Sequence, residues 1–261
     1  MKKKISLLLL FCLSTVLSFS QTSSFAVANK LKKTTLMVVI EDEESTYTQI
    51  LKTSLEKYWT HTKFEFIKSD EVEKYISDEN YSLLMSLKYV DSEKDKTAND
   101  YTFSIILGDE NTKEIKDAKI IKSILIPGKW NRKTGMKMLE YEYLLPFFIQ
   151  NLESQIALDL KKISYKTILK KGINYYNNGL EILPKKTILI YKDAVKKDFD
   201  LEIFCDNLNI DYNKARLVSK EELMKVIEDR DDRYAIVYDV DYAADIFDAK
   251  TGLIIIECAA Q

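Results

Sequence analysis

Apolar and polar positions fall in alternating blocks along this chain, and the blocks predict a mixed α/β protein. Residues 35–40, TLMVVI, are a short apolar run rich in β-branched side chains, the mark of a buried strand. EDEEST follows as a loop and helix start. Tyr47, Ile50, Leu51, Leu55, Tyr58 and Trp59 then recur at helical spacing, which predicts a helix over 47–59. FEFI (64–67) alternates as a strand, and DEVEKYISD (70–78) has Val72, Tyr75 and Ile76 on one side of a short helix. Residues 81–89 and 101–107 read as further strands, GDENT as a turn, and KEIKDAKIIKSILI as extended chain.

The C-terminal end repeats this succession. TILIY (187–191) is a predicted strand, 199–208 a helix, ARLV a strand, KEELMKVIE a helix and YAIVYDV (234–240) a strand; ADIF, the turn DAKTG and LIII complete a hairpin. IKSDEVEKYI (67–76) and VSKEELMKVI (218–227) align without a gap. Ile67 meets Val218, Glu71 meets Glu222, Val72 meets Leu223, Lys74 meets Lys225 and Ile76 meets Ile227. Tyr81 and Tyr234 open the next strand, and KTTLMV before the first helix matches KTILI. Ser219 and Glu222 have the spacing of a helix capping box, a place that Lys68 takes in the first copy.

Two similar small α/β domains follow from this pattern, each a mixed sheet flanked by helices in β-α-β-α-β-β order. The alternative is one mixed α/β domain. The expected organisation is a first domain over 34–140, a helical segment and linker over 141–183, and a second domain over 184–261. In the middle segment Tyr141, Leu144, Leu145, Phe148, Leu152, Ile156 and Leu160 predict a long helix over 146–163, with Pro146 tolerated in its first turn. Glu153 and Asp159 stand where a membrane-surface helix would carry lysines, so packing on a sheet is expected. NYYNNG (174–179) reads as a polar linker.

The N-terminus changes the picture of compartment. Lys2, Lys3 and Lys4 precede the apolar run ISLLLLFCLSTVL, and small residues Ser18 and Ser20 lead to Gln21. That is the pattern of a secretory signal peptide over 1–20, cleaved after Ser20. The apolar run is short of the ~20 residues of a membrane span. Removing three lysines takes the net charge from -2 to -5, and no basic stripe for nucleic acid is left. The 35 lysines against four arginines, with many Ile, Asn and Tyr, suggest an AT-rich bacterial genome and a periplasmic or secreted protein. Two cysteines survive processing, Cys205 and Cys258. Cys205 shares a helical face with Leu201, Phe204 and Leu208; it is read as a buried small hydrophobe or as half of a bridge to Cys258.

TILIY, SKEELMKVI, YAIVYDV and IFDAKTGLIII together resemble the small α/β domain at the N-terminus of the Tol-system β-propeller protein and in curli-secretion and related envelope lipoproteins. The resemblance covers about 70 residues of the C-terminal half and, more faintly, 34–115. It implies a domain closed by a strand–turn–strand hairpin, with Gly252 supplying a positive φ. It also implies action by binding envelope partners, without catalysis.

The search for reactive chemistry narrows the field. The six glycines, at 108, 128, 135, 172, 179 and 252, are too dispersed for a dinucleotide fingerprint or a P-loop. One histidine, His61, rules out a multi-imidazole zinc site; its place after a helix end suits a cation near the C-terminal partial charge. EDEE (41–44), DRDDR, Asp239, Asp241, Asp245 and Asp248 lack the calcium-loop spacing and read as solvated surface. No residue stands out as catalytic, cofactor-binding or metal-ligating. The expectation is a non-catalytic exported protein that binds a protein or cell-wall partner. The competing readings are an envelope carbohydrate-active hydrolase using paired carboxylates and a calcium-dependent module.

Overall fold

The computed structural model describes residues 24–90, 99–126, 128–131, 135–138, 141–162, 183–195, 199–207, 210–237 and 246–256. Among them two five-stranded mixed sheets, each flanked by helices, form an α/β fold.

The first half begins with α1 (Ser24–Leu31), which sequence patterning missed, and β1 (Thr35–Ile40). Helix α2 (Thr46–Tyr58) is capped by Ser45, whose side chain accepts from Thr48 N at 3.2 Å. Then come β2 (Phe64–Lys68), the short helix α3 (Val72–Ile76), β3 (Tyr81–Val90), β4 (Asn99–Leu107) and β5 (Lys119–Ile126). The sheet order is β2-β1-β3-β4-β5, parallel across β2-β1-β3 and antiparallel beyond. A short hairpin, β6 (Gly128–Asn131) and β7 (Gly135–Met138), was not expected from the pattern.

Helix α4 (Leu145–Leu160) joins the halves and matches the predicted long helix within three residues at its C-terminal end. All residues from Leu145 to Leu152 are buried. A helix apolar on every side belongs inside a protein, and α4 does lie inside. The largest hydrophobic cluster surrounds it, drawing Leu36, Val38 and Leu55 from the first half and Leu189, Leu223, Ile227 and Ile236 from the second.

The second half contains β8 (Thr187–Tyr191), α5 (Leu201–Asn207), β9 (Ala215–Val218), α6 (Lys220–Asp229), β10 (Tyr234–Val237), β11 (Ile246–Asp248) and β12 (Ile254–Ile256). Its sheet runs β9-β8-β10-β11-β12, the same order and the same pattern of parallel and antiparallel pairs as the first. The pair registers coincide too. Thr35 lies opposite Tyr81 as Thr187 lies opposite Tyr234, and Leu36 opposite Phe64 as Ile188 opposite Ala215. This corrects the match of KTTLMV to KTILI by one residue: Thr35, and not Thr34, is level with Thr187. A one-residue slip reverses which face a side chain occupies.

That reversal is visible in the packing. In β1, Leu36 and Val38 face the central cluster and Met37 faces an outer cluster with α3. In β8 the level residues invert: Ile188 and Ile190 face an outer cluster with α5, and Leu189 faces the centre. The strand order 2-1-3 puts successive crossover helices on opposite faces when both crossovers are right-handed. Each half follows that plan, but the first turns its α2 face inward and the second its α6 face. The two sheets therefore meet through non-equivalent faces.

Candidate functional site

The non-equivalent meeting leaves a groove of about 380 Å³ where α2, α4 and α6 converge. Buried or half-buried Ile50, Ser54, Tyr58, Pro146 and Met224 make its floor; exposed Gln49, Thr53, Lys57 and Glu228 make its rim. Pro146 is there because the first turn of α4 has no use for its N–H. Met224 is there because α6 commits Leu223, Val226 and Ile227 to the core and leaves the next position half-exposed.

Polar contacts lock the groove walls. The last carbonyls of a helix lack intrahelical partners, and those of α6 are taken by the first half and by α4. Lys57 Nζ donates to Glu228 O at 3.2 Å, Tyr58 OH to the same oxygen at 3.4 Å, and Gln150 Nε2 to Ile227 O at 3.1 Å. Lys57 also hydrogen-bonds the Tyr58 side chain, which raises its pKa. The Tyr58 ring is already occupied by cations, with Lys57 Nζ 5.0 Å and Arg230 Cζ 5.9 Å from its centroid.

Further along α4, Asn151 Nδ2 donates to Gly252 O at 2.5 Å and Ser154 Oγ to Thr251 O at 2.6 Å, so α4 reads the backbone of the β11–β12 turn. Gly252 has φ +70, as the sequence suggested, and a Cβ there would meet Asn151 N at 2.8 Å. Asp248 closes the same turn by accepting from Lys250 N and Thr251 N, and it pairs with buried Lys186 at 2.8 Å.

A second polar group sits beside the middle of β3. Ser86 Oγ and Tyr141 OH are 3.1 Å apart, with the Tyr47 ring 6.0 Å from that of Tyr141. Burial, and next Tyr141, push the Tyr47 hydroxyl well above the usual phenol range.

The residues weighed in the sequence fall as follows. His61 does not cap the end of α2; its Nε2 is 2.9 Å from Glu153 O and its ring stands edge-on to Trp59, tying the α2–β2 loop to α4. The EDEE acids precede the helix: the first turn of α2 holds no acid, and Asp42 Oδ1 accepts from Glu44 N. Ser219 caps α6, but the Glu222 carboxylate goes to Arg216 at 2.5 Å. The other half of a capping box appears in the first copy, where Lys68 N donates to Glu71 Oε2 at 3.0 Å. Of DRDDR, Asp229 pairs with Lys225, Asp231 with Arg233 and Asp232 with Lys250. Cys205 is a buried free thiol in the outer cluster under α5. Cys258, Leu208, Asp239, Asp241, Asp245 and 174–179 lie outside the described residues.

Among the described residues no three His, Cys, Asp or Glu side chains are grouped to hold a metal ion. No described helix is long and apolar enough to cross a membrane. Comparison with protein-family models, with curated proteins and with solved structures finds no match. The groove itself escaped sequence reading because its lining comes from three helices far apart in the chain.

Proposed function

We propose that this chain is an exported, non-catalytic protein of the bacterial envelope or its surroundings, and that it binds a protein partner. The observation that carries the reading is the groove between α2, α4 and α6. Its floor is supplied by Ile50, Pro146 and Met224, and both halves of the molecule are needed to build it. An aliphatic and thioether floor with a thin polar rim suits the apolar side chains of a docked polypeptide. It suits a cell-wall glycan less, because the one aromatic ring among the described lining residues, Tyr58, already carries Lys57 and Arg230 on it. The lysine-led apolar N-terminus supports export, and the matching order of the two sheets supports an internal repeat of a small envelope-type binding domain.

The alternative, an envelope carbohydrate-active hydrolase with paired carboxylates, has less support. Among the described residues, Glu228 is the only carboxylate lining the groove. The resolved carboxylate shifts among the described residues, at Asp109, Glu221 and Asp231, are all downward, against the raised pKa a general acid needs.

Affinity capture from the envelope fraction of the native cell, with the mature chain and with Ile50→Glu and Met224→Glu variants, tests the reading. Proteins held by the parent chain and lost from both folded variants support it. Retention of muropeptides alone, or turnover of a glycan substrate, overturns it.

A further inference from the structure

Five large hydrophobic side chains are well exposed among the described residues, and three of them lie on neighbouring elements of the second half. Ile203 on α5 is 59% exposed, Tyr212 in the 3-10 turn 212–214 is 52% exposed, and Leu217 on β9 is 43% exposed. The turn joins α5 to β9, and each of the three elements touches the other two. Leu217 lies on the same strand face as Ala215, which packs in the outer cluster beneath α5. Beside this corner β9 ends its sheet: β8 pairs with one side of it, and no described strand pairs with the other. A bare strand edge presents a row of backbone donors and acceptors ready for another strand.

Among the described residues around the corner the charge leans acidic. Residues 199–214 carry Asp200, Glu202, Asp206 and Asp211 against the single base Lys214. All four acids are exposed. Arg216, the next cation along, reaches across the other face to Glu222. The two remaining exposed apolar residues, Ile115 and Ile120 beside β5, have no such field. Lys113, Lys116 and Lys119 alternate there with Glu114 and Asp117, and Lys116 pairs with Glu114 at 2.8 Å.

We infer that the free edge of β9, with Ile203, Tyr212 and Leu217 beside it, takes up an extended segment of a partner protein that bears lysine or arginine between apolar residues, as a sixth strand of the sheet. Main-chain hydrogen bonds to the edge supply affinity in this mode, and alternate side chains supply selectivity. The apolar trio receives one set of partner side chains, and the acid rim attracts the cations flanking them. A second copy of this chain is the wrong occupant, because a two-fold pairing of β9 edges would bring two acid rims together. The inference rests on the partner-binding reading above but uses a surface separate from the groove.

The probe is a fluorescein-labelled peptide of alternating lysine and valine, about eight residues long to match a strand, titrated into the full mature chain and followed by anisotropy. Saturable binding is expected, weakened by salt and weakened about tenfold or more by a central proline in the peptide or by Leu217→Lys. Ile203→Lys, a change on an exposed helix position, serves the same purpose should Leu217→Lys fail to fold, and Ile115→Lys, an exposed position in the other half, leaves the affinity unchanged. Equal binding of a glutamate–valine peptide, indifference to both lysine variants, absence of binding, or a dimer dissolved by Leu217→Lys each overturns the inference. Failure here with the groove-dependent capture intact leaves the partner-binding reading standing; failure of both removes it.

Discussion

Val72 and Leu223 hold the same place in the two sheets and face opposite sides of the molecule. Each follows the second parallel strand on the crossover helix, Val72 in α3 and Leu223 in α6. Val72 packs in the outer cluster of the first half with Met37 and Ile106, whereas Leu223 packs in the cluster shared by both halves. Their substitutions therefore have different reach. Leu223→Ala removes volume from the common core and is expected to cost about 2–5 kcal/mol. Val72→Ala removes two carbons from a six-residue cluster and is expected to cost about 1.5 kcal/mol. Urea unfolding followed by Trp59 fluorescence in a Trp130→Phe background checks this. Trp59 lies in the first half, 6% exposed, and Leu223→Ala in the second half should still lower the midpoint it reports.

The turn glycines carry a second expectation. Gly252→Ala combines a positive φ with a Cβ 2.8 Å from Asn151 N, so a loss of about 1–3 kcal/mol is expected. Gly108 has the tighter conflict: a Cβ there would lie 2.1 Å from the backbone oxygen of Asp78. Main chain must move to admit it, so Gly108→Ala should lower the melting temperature at least as much as Gly252→Ala. A scan in which both variants melt with the parent would contradict the geometry.

How much of this was legible in the sequence depends on which contacts the pattern encodes. Helical spacing placed α2 within one residue and α4 within three, and the apolar runs TLMVVI, TILIY and YAIV marked three of the parallel strands. The inward and outward faces were not legible. Parallel strands covered on both sides are apolar at every position, so Leu36 looked equivalent to Leu189 although they stand one register step apart. Helix α1 went unseen because only Ala28 and Leu31 of its eight residues are buried. The β6–β7 hairpin, GKWN and GMKM, shows too few β-branched residues to announce itself. The groove and the β9 corner depend on which helices the fold brings together, and no local window of sequence holds that information.

An ion pair joins α4 to the first sheet. Lys122 Nζ and Asp159 Oδ2 are 2.7 Å apart, with side chains 16% and 5% exposed. Asp159→Ala strands the lysine charge and is expected to cost about 3 kcal/mol. The double change Lys122→Met with Asp159→Leu should recover most of that loss, because an apolar pair needs no desolvation of charge. Chemical denaturation of the three chains checks it; a double variant as unstable as the single one would show that the pair does more than offset its own burial.

Asp231 sets an acid-side dependence. The Arg233 side chain, then the Arg233 backbone N–H, hold its carboxyl down at about 2 from an ordinary 3.8. A depressed folded-state value stabilises the fold above the unfolded pKa, and that stabilisation is lost as pH falls toward the folded value. The difference in melting temperature between the parent chain and Asp231→Asn should be constant near neutrality and shrink between about pH 4 and pH 2. Asp78 makes the matching turn in the first half by accepting from Asn80 N at 2.9 Å, without an arginine partner.

A photo-crosslinker placed in the floor of the seam between the halves tests most directly whether that seam docks a protein. With Met224→benzoylphenylalanine expressed in the native cell and irradiated, the prediction is a discrete higher-mass adduct that a protease removes and that Ile50→Glu abolishes. An adduct removed by a muramidase and not by a protease would contradict it, as would an adduct that persists unchanged when Ile50 is replaced.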